Sequence, residues 1–249
     1  MKKISIIIPT LNSSKTIRKS INSVLSQNFK NFEIIVVDSY SIDKTFENIR
    51  SFNLKNKVKF FRFPKNRTLA DARYFGIKKA TGSIIAFLDS DDYWDRRKLY
   101  LQYLKLQRNK FCCTGFVYIK NFKKYSISNF PKKILLKNLI VSRPVANSSV
   151  VCYRSLLMKI PKKYFSEYAE DYLWWIMILK RINYLYFYNV NLTYLTISQD
   201  NRSKNLLKNL KSLFLIYKNV LQFSLFKIIV IFTKLGINNF KKKYFLIRK

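Results

Sequence analysis

Ile84-Ile85-Ala86-Phe87-Leu88-Asp89-Ser90-Asp91-Asp92 joins an unbroken apolar run to a cluster of carboxylates. A short, β-rich apolar run of this kind is expected of a strand buried on both faces. The acids begin where that strand ends. With Asp95, residues 89–95 hold four of the chain's thirteen acidic residues, against 48 Lys plus Arg. Neighbouring like charges raise one another's pKa. A chain this poor in carboxylates that still concentrates them is expected to bind a cation there or to move a proton.

The same grammar repeats on the N-terminal side. Ile4–Ile8, Phe32–Val37 and Val58–Phe63 are further apolar runs, and helical patterns lie between them. In 14–28, Ile17, Ile21, Val24 and Leu25 recur on one helical face, with Ser13 or Ser14 available as N-cap. Phe46, Ile49 and Phe52 do so in 44–53, and a third helix is predicted from Thr68 to Ala80. Strands alternating with helices of this length predict an α/β fold, a mostly parallel sheet flanked by helices. Beyond Asp95 the pattern predicts a helix over 96–109, strands at Phe111–Ile119 and Ser148–Tyr153, and a helix over 171–182. Residues 184–196 read as two short strands or one extended segment, and 120–147 has no readable period.

Ligands of open α/β sheets bind beyond the carboxyl ends of the strands. Asp38 and Asp89 each directly follow such a run, and Pro9-Thr10-Leu11-Asn12 follows the first. With only Gly76, Gly82, Gly115 and Gly236 there is neither a G-x-G-x-x-G nor a Walker A loop. Phosphates must be held by other means, and a carboxylate-bound divalent cation is the direct alternative.

Composition narrows the chemistry further. Histidine is absent, which removes the commonest general base and every Ser-His or Cys-His nucleophile. Cys112, Cys113 and Cys152 are odd in number and lack metal-ligand spacing, so they read as buried apolar residues in a reducing compartment. Pro9 closes the first apolar run too early for a signal peptide, and no uncharged run reaches the roughly 18–20 residues that span a bilayer. A cytoplasmic catalytic part is expected. A net charge of +35 favours polyanionic partners: nucleic acid, an anionic membrane face or phosphorylated substrates. Specific nucleic-acid binding is disfavoured, because the aromatics sit at core spacing and acids cluster where a polyanion would be repelled.

Four segments together carry a resemblance: Ile6-Ile7-Ile8-Pro9-Thr10-Leu11-Asn12, Phe32-Glu33-Ile34-Ile35-Val36-Val37-Asp38, Ala70-Asp71-Ala72-Arg73 with Gly76, and Phe87-Leu88-Asp89-Ser90-Asp91-Asp92. In order and spacing they resemble the nucleotide-binding half of family 2 inverting glycosyltransferases of the GT-A fold, of the kind that assemble bacterial surface polysaccharide or lipooligosaccharide. Glu170-Asp171-Tyr172-Leu173-Trp174 is similar to the family's later acidic pair heading a helix. The resemblance spans about residues 3–200. It implies transfer of one sugar from a nucleotide-diphospho-sugar, UDP-linked in the first instance, to a glycan or lipid-linked acceptor. It further implies that Pro9, Thr10 and Asn12 lie beneath the nucleotide, that Asp38 accepts from the base, and that Arg73 reaches the base or diphosphate. Asp89 and Ser90 would face the nucleotide, Asp91 with Asp89 would hold Mg²⁺ or Mn²⁺, and Asp171 would be the general base beside Glu170. The chain departs from the family at Ser39-Tyr40-Ser41, where a second acid and a Gly-Ser pair are usual. Gln199–Arg202 is similar to the start of the Q-x-x-R-W motif of processive synthases, but Ser203 stands where Trp belongs, which favours single addition. A sugar-phosphate nucleotidyltransferase, the alternative enzyme, would need a Gly-rich loop after the first strand, which Pro9–Ser13 does not supply.

Residues 1–202 are expected to form the GT-A domain and 203–249 a basic amphipathic helical tail. The tail contains no acid, and Lys204, Lys208, Lys211 and Lys218 fall on one helical stripe. Lys227 and Lys234 bracket the apolar Ile228–Phe232. Such a stripe fits a helix lying on an anionic membrane, peripheral on the inner face of the cytoplasmic membrane. Packing on the domain or in a homodimer is the other reading.

Overall fold

The computed structural model describes residues 1–52, 57–65, 68–121, 123–126, 130–161, 164, 169–197 and 206–247. The N-terminal part follows the expected alternation: β1 (Ile4–Thr10), α1 (Ile17–Leu25), β2 (Phe32–Asp38), α2 (Thr45–Arg50), β3 (Val58–Arg62), α3 (Leu69–Lys79), β4 (Ile84–Phe87). Then come β5 (Tyr93–Trp94), α4 (Lys98–Leu106), β6 (Phe111–Lys120), β7 (Lys123–Ser126), β8 (Lys133–Ile134), α5 (Leu136–Ser142), β9 (Val150–Tyr153) and α6 (Arg154–Met158). The chain continues with α7 (Glu170–Leu179), β10 (Leu185–Thr196), α8 (Leu206–Leu215) and α9 (Leu225–Ile247). The segment without readable period thus holds two short strands and α5, and 184–196 is a single bulged strand.

The ten strands of the described residues form one sheet in the order β3-β2-β1-β4-β9-β6-β10-β5, with β7 on β6 and β8 on β10. The β3-β2-β1-β4 half is parallel, as expected. The other half corrects the expectation of a mostly parallel sheet. β9 runs antiparallel between β4 and β6, and β5, β7 and β8 also pair antiparallel, while β10 runs parallel to β6, so the sheet is mixed. Because β9 is reversed, its N-terminal end lies beside the carboxyl end of β4, where the acids are.

Strand alternation sorts the apolar runs onto two faces. Ile6, Ile8, Ile34, Val36, Ile84 and Ala86 meet α1, α2 and α4 on one side. Ile7, Ile35, Val37, Ile85 and Phe87 meet α3, α5, α6 and α7 on the other. Gly76 is required on the second side: a Cβ there would lie 2.6 Å from Ile7 Cγ2, so the absent side chain lets α3 seat directly on β1. α7 is anchored by its tryptophans. Trp174 and Trp175 lie 5.8 and 6.0 Å, centroid to centroid, from Phe87 on β4, and Trp175 also meets Phe111 edge-on at 5.1 Å. The C-terminal helices contribute to this same core. Ile216, Tyr217, Ile228, Ile231 and Leu235 are buried in it, and Tyr217 Oη lies 3.0 Å from Tyr172 Oη on α7. The Gln199–Arg202 segment and Lys204 lie outside the described residues, as does the side chain of Lys208.

At the opposite end of the sheet from Asp38 and Asp89, Glu33 is a buried structural acid. It accepts from Ser5 Oγ (2.6 Å), Thr81 N (2.7 Å) and Thr81 Oγ1 (2.7 Å), and pairs with Lys59 Nζ at 2.8 Å. Burial alone would raise its pKa, but the Lys59, Ser5 and Thr81 interactions outweigh that and hold it far below the usual carboxylate range. A depressed folded pKa stabilises above the unfolded value of about 4.3, and this contribution is lost as the pH falls below that value. Glu33→Gln is therefore expected to cost about 1–3 kcal/mol at pH 7. The gap to wild type should narrow below about pH 4, as measured by urea unfolding across pH.

Candidate active site

Three strand ends converge at the carboxyl edge of the parallel half. The β1 loop is tied to the β2 loop by Ser39 N donating to Thr10 O (2.8 Å), Asn12 N to Ser41 Oγ (2.8 Å) and Ile42 N to Asn12 Oδ1 (3.0 Å). It is tied to the acidic loop by Ser13 Oγ, 2.8 Å from Ser90 Oγ. Pro9 and Thr10 end β1 opposite Val37 and Asp38. Asp38 is fully buried and accepts from Ser41 Oγ and Ser41 N. The hydroxyls of Thr10 and Ser39 are buried here without a hydrogen-bond partner.

Backbone geometry explains the departure at Tyr40. Its φ of 68° lies in the left-handed region, which a glycine adopts at little cost. Here the conformation is held by Ser41 bonding Asp38 and by the Arg62 guanidinium 4.6 Å from the Tyr40 ring centroid. Asn12 (φ 49°) and Ala169 (φ 57°), just before Glu170, share this conformation. Non-glycine residues in this region concentrate where surrounding structure fixes a functional loop.

Arg73, projecting from α3, joins two acidic groups. Its NH2 lies 2.7 Å from Asp89 Oδ1, and its NH1 pairs with Glu170 Oε1. Desolvation would lower the guanidinium's pKa, but Asp89, Glu170 and Asp171 raise it, so the charge is secure. The same guanidinium pulls the Glu170 pKa down, while burial, the larger influence, and Asp171 leave it raised. The acid pair at the head of α7 is thus held against the end of β4.

The acidic loop itself is under electrostatic tension. Burial first, and Asp89 second, push the Asp91 carboxyl up to about 6. Asp92 is pushed well above the usual range by burial, Asp91 and Asp89. No group of three or more potential metal ligands occurs among the described residues. Two carboxylates that repel each other nonetheless suit a hard cation such as Mg²⁺, which keeps most of its coordination for water and phosphate oxygens.

Sequence reasoning missed the strut behind this loop. Ser148 Oγ accepts from Asp89 N (3.0 Å) and donates to Asp92 Oδ2 (2.5 Å), while Thr196 N donates to Asp92 Oδ1 (2.9 Å). Ser20 Oγ donates to Asp92 O (2.6 Å), and Trp94 Nε1 to Ser148 O (2.8 Å). Asn147 Nδ2 donates to Asp89 Oδ1 (3.1 Å). Lys98 is fully buried, its Nζ 4.0 Å from the Trp94 ring centroid and donating to Gln102 Oε1 (2.6 Å), and burial lowers its pKa to about 7. Only a Ser-Ser pair before an apolar run marked residues 147–149 in the sequence. Three other acids are local caps: Asp43 accepts from Ser14 N, Asp71 closes a capping box with Thr68, and Asp95 pairs with Arg97.

A parallel half-sheet with an acidic carboxyl edge defines a class, and comparison with known proteins resolves which. The Glycosyl transferase family 2 model matches residues 5–161. The chain belongs to that family and is a glycosyltransferase. It is 33% identical over 214 residues, covering 84% of this chain and 82% of the relative, to the Escherichia coli UDP-Glc:alpha-D-GlcNAc-diphosphoundecaprenol beta-1,3-glucosyltransferase WfgD. It is 31% identical over 72% of its length to the Staphylococcus aureus poly(ribitol-phosphate) beta-N-acetylglucosaminyltransferase TarP, covering 58% of that protein. The crystal structure of S. aureus TarS 1–349 in complex with UDP-GlcNAc matches with a TM-score of 0.72 at 21% identity, covering 95% of this chain and 71% of that one. Against a longer TarS chain the coverage of that chain is 43%. The likeness establishes the GT-A type of α/β fold.

The strained position gives a direct test. Tyr40→Gly removes about 1–2 kcal/mol of left-handed strain. It also loses a cation–π contact of about 0.5–1 kcal/mol and adds about 0.5–1 kcal/mol of chain entropy. Its stability in urea should stay within about 1 kcal/mol of wild type. Tyr40→Val, β-branched and without the ring, should lose more than about 1 kcal/mol.

Proposed function

We propose that this glycosyltransferase is inverting and metal-dependent. It would transfer one sugar from a UDP-linked donor to a glycan or lipid-linked acceptor in bacterial surface polysaccharide or lipooligosaccharide assembly. The observation that carries the reading is the Arg73 bridge, which sets a diphosphate-side pair, Asp89 and Asp91, against an acceptor-side pair, Glu170 and Asp171. The UDP-sugar named for WfgD and the UDP-GlcNAc bound by TarS support the donor, and the diphosphoundecaprenol acceptor named for WfgD supports a lipid-linked acceptor.

In this reading Pro9, Thr10, Asn12 and Asp38 receive the base and ribose, and the partnerless Thr10 and Ser39 hydroxyls supply donors or acceptors there. Arg73, occupied by two carboxylates, orients the site rather than gripping phosphate by itself. Asp91 with Asp89 would hold Mg²⁺ or Mn²⁺, which when bound offsets negative charge on the departing diphosphate. Ser90 lines the nucleotide side of the loop. Asp171 takes the acceptor hydroxyl proton as that oxygen bonds to the anomeric carbon and the bond to the diphosphate oxygen breaks on the opposite face. The family match supports glycosyl transfer over nucleotidyl transfer.

Residues 1–202 would form the catalytic domain, and 203–249 would attach it to the inner face of the cytoplasmic membrane. No helix among the described residues is long and apolar enough to cross a membrane. α9 buries Ile228, Ile231 and Leu235 but leaves Leu225, Phe226 and Ile229 exposed, and Lys218 and Lys227 are exposed nearby. An outward apolar strip beside lysines suits an anionic lipid surface, at about 1 kcal/mol per Lys near it.

Two experiments test this. In a panel of UDP-sugar hydrolysis and transfer assays, EDTA or Asp91→Asn should abolish turnover. Asp171→Asn should lower it by at least about 10²-fold at unchanged UDP affinity, and Glu170→Gln should be milder. Metal-independent turnover sinks the metal role, and equal loss of UDP binding removes Asp171 from the base role. Separately, the full-length chain should sediment with phosphatidylglycerol vesicles and release as salt screens the lysines. Phe226→Ser with Ile229→Ser should bind several-fold less. Equal partitioning of variant and wild type refutes the membrane role, and a dimer lost in the variant would assign the strip to self-association.

A further inference from the structure

The order of strand ends lays out the donor. Reading across the sheet, Asp38 ends β2, Pro9–Asn12 end β1, Asp89 and Asp91 follow β4, and Asn147 precedes β9. On the reading proposed above, the base lies at the Asp38 end and the diphosphate at Asp89 and Asp91. The next position along the same edge belongs to the sugar. Asn147 occupies it.

The side chain of Asn147 is fixed and incomplete. The residue is 6% exposed, and its Nδ2 donates to Asp89 Oδ1 at 3.1 Å, which sets the orientation of the amide. Its Oδ1 is then turned away from Asp89, buried and without a hydrogen-bond partner. The neighbouring Arg73 Nε is also buried and unpartnered. A buried carbonyl oxygen without a donor is unfavourable unless a ligand or water completes it. The diphosphate offers only acceptors, so it cannot complete Oδ1. A sugar hydroxyl can, because it donates to the amide oxygen and has lone pairs left for a guanidinium N–H.

We propose that Asn147 is a specificity-determining residue of the donor site, its Oδ1 accepting a hydrogen bond from a hydroxyl of the transferred sugar while its Nδ2 holds Asp89. The inference rests on the UDP-sugar reading and deepens it. It makes the turn before β9, outside the recognised nucleotide motifs, the part of this chain that senses the sugar. A site built to hydrogen-bond a hydroxyl rejects analogues that lack it, because the protein group is left unpaired.

The test measures calorimetric affinities of the full-length protein with Mg²⁺ for UDP, UDP-glucose and UDP-GlcNAc. Because Arg73 and Ser148 still hold Asp89 when the amide is removed, Asn147→Ala should leave UDP affinity within about twofold and weaken the preferred UDP-sugar about tenfold, the effect of one hydrogen bond. Asn147→Ser covers the case in which the alanine variant fails to fold. On the wild-type protein, deoxy versions of the preferred UDP-sugar, each lacking one hydroxyl, should include one that binds about tenfold weaker. Asn147→Ala or Asn147→Ser should not discriminate against that analogue. Parallel weakening of UDP and UDP-sugar would overturn the proposal, since Asn147 would then act only through Asp89 or the metal. No change in either affinity would assign Oδ1 to a bound water and overturn it too. A wild-type protein that binds UDP but gains nothing from any sugar refutes the sugar contact alone. One that binds neither UDP nor a UDP-sugar refutes the donor reading itself.

Discussion

Arg73 is the contact on which the geometry of the site depends. Its guanidinium is buried between carboxylates from two distant parts of the chain, Asp89 after β4 and Glu170 at the head of α7. Burial works against the Glu170 charge and the guanidinium works for it, and the guanidinium could not be buried without its two carboxylate partners. Removing one partner would leave an uncompensated charge. The bond therefore locks the carboxyl edge of the parallel half-sheet to the helix that carries Asp171. Packing supports the same register from below, where Trp174 and Trp175 bracket Phe87, the last residue of β4.

Around that bridge, the acidic loop is arranged so that repulsion is contained by hydrogen bonds rather than relieved. Asp91 and Asp92 are both pushed toward their neutral forms by burial and by their neighbours. The loop keeps its shape because Ser148, Thr196 and Ser20 engage Asp92 while Ser148 also receives Asp89 N. The Asp89 carboxylate is held in turn by Arg73 and Asn147, so both ends of the loop are oriented by their surroundings. Two parts of the clasp, Ser148 and Thr196, come from the half of the sheet beyond β4, and the third, Ser20, comes from α1.

The C-terminal helices serve packing and surface together. Tyr217 reaches Tyr172, one residue from Asp171, so the tail buttresses the helix bearing the proposed base. The outer strip of α9 at Leu225, Phe226 and Ile229 remains exposed. Of the two readings of this segment, packing on the domain holds for Ile228, Ile231 and Leu235, which are part of the protein's interior.

The sequence by itself determined the parallel half of the sheet. Its strands are continuous apolar runs, and each acid of the proposed site follows such a run or heads a helix. Asp38, Asp89, Asp91 and Glu170-Asp171 were legible because carboxylates are rare in this chain, so their placement at strand ends and a helix head is not diluted by acids elsewhere. Tertiary structure alone decided the rest. The reversal of β9 depends on pairings with β4 and β6, remote in sequence, and no local periodicity encodes them. Asn147 and Ser148 are ordinary polar residues until that reversal sets them against Asp89 and Asp92. The same holds for Arg73, whose two partners lie 16 and 97 residues away along the chain. Local pattern fixes which atoms a segment can offer. Which atoms meet is set by the long-range strand order and by the requirement that buried charges find partners.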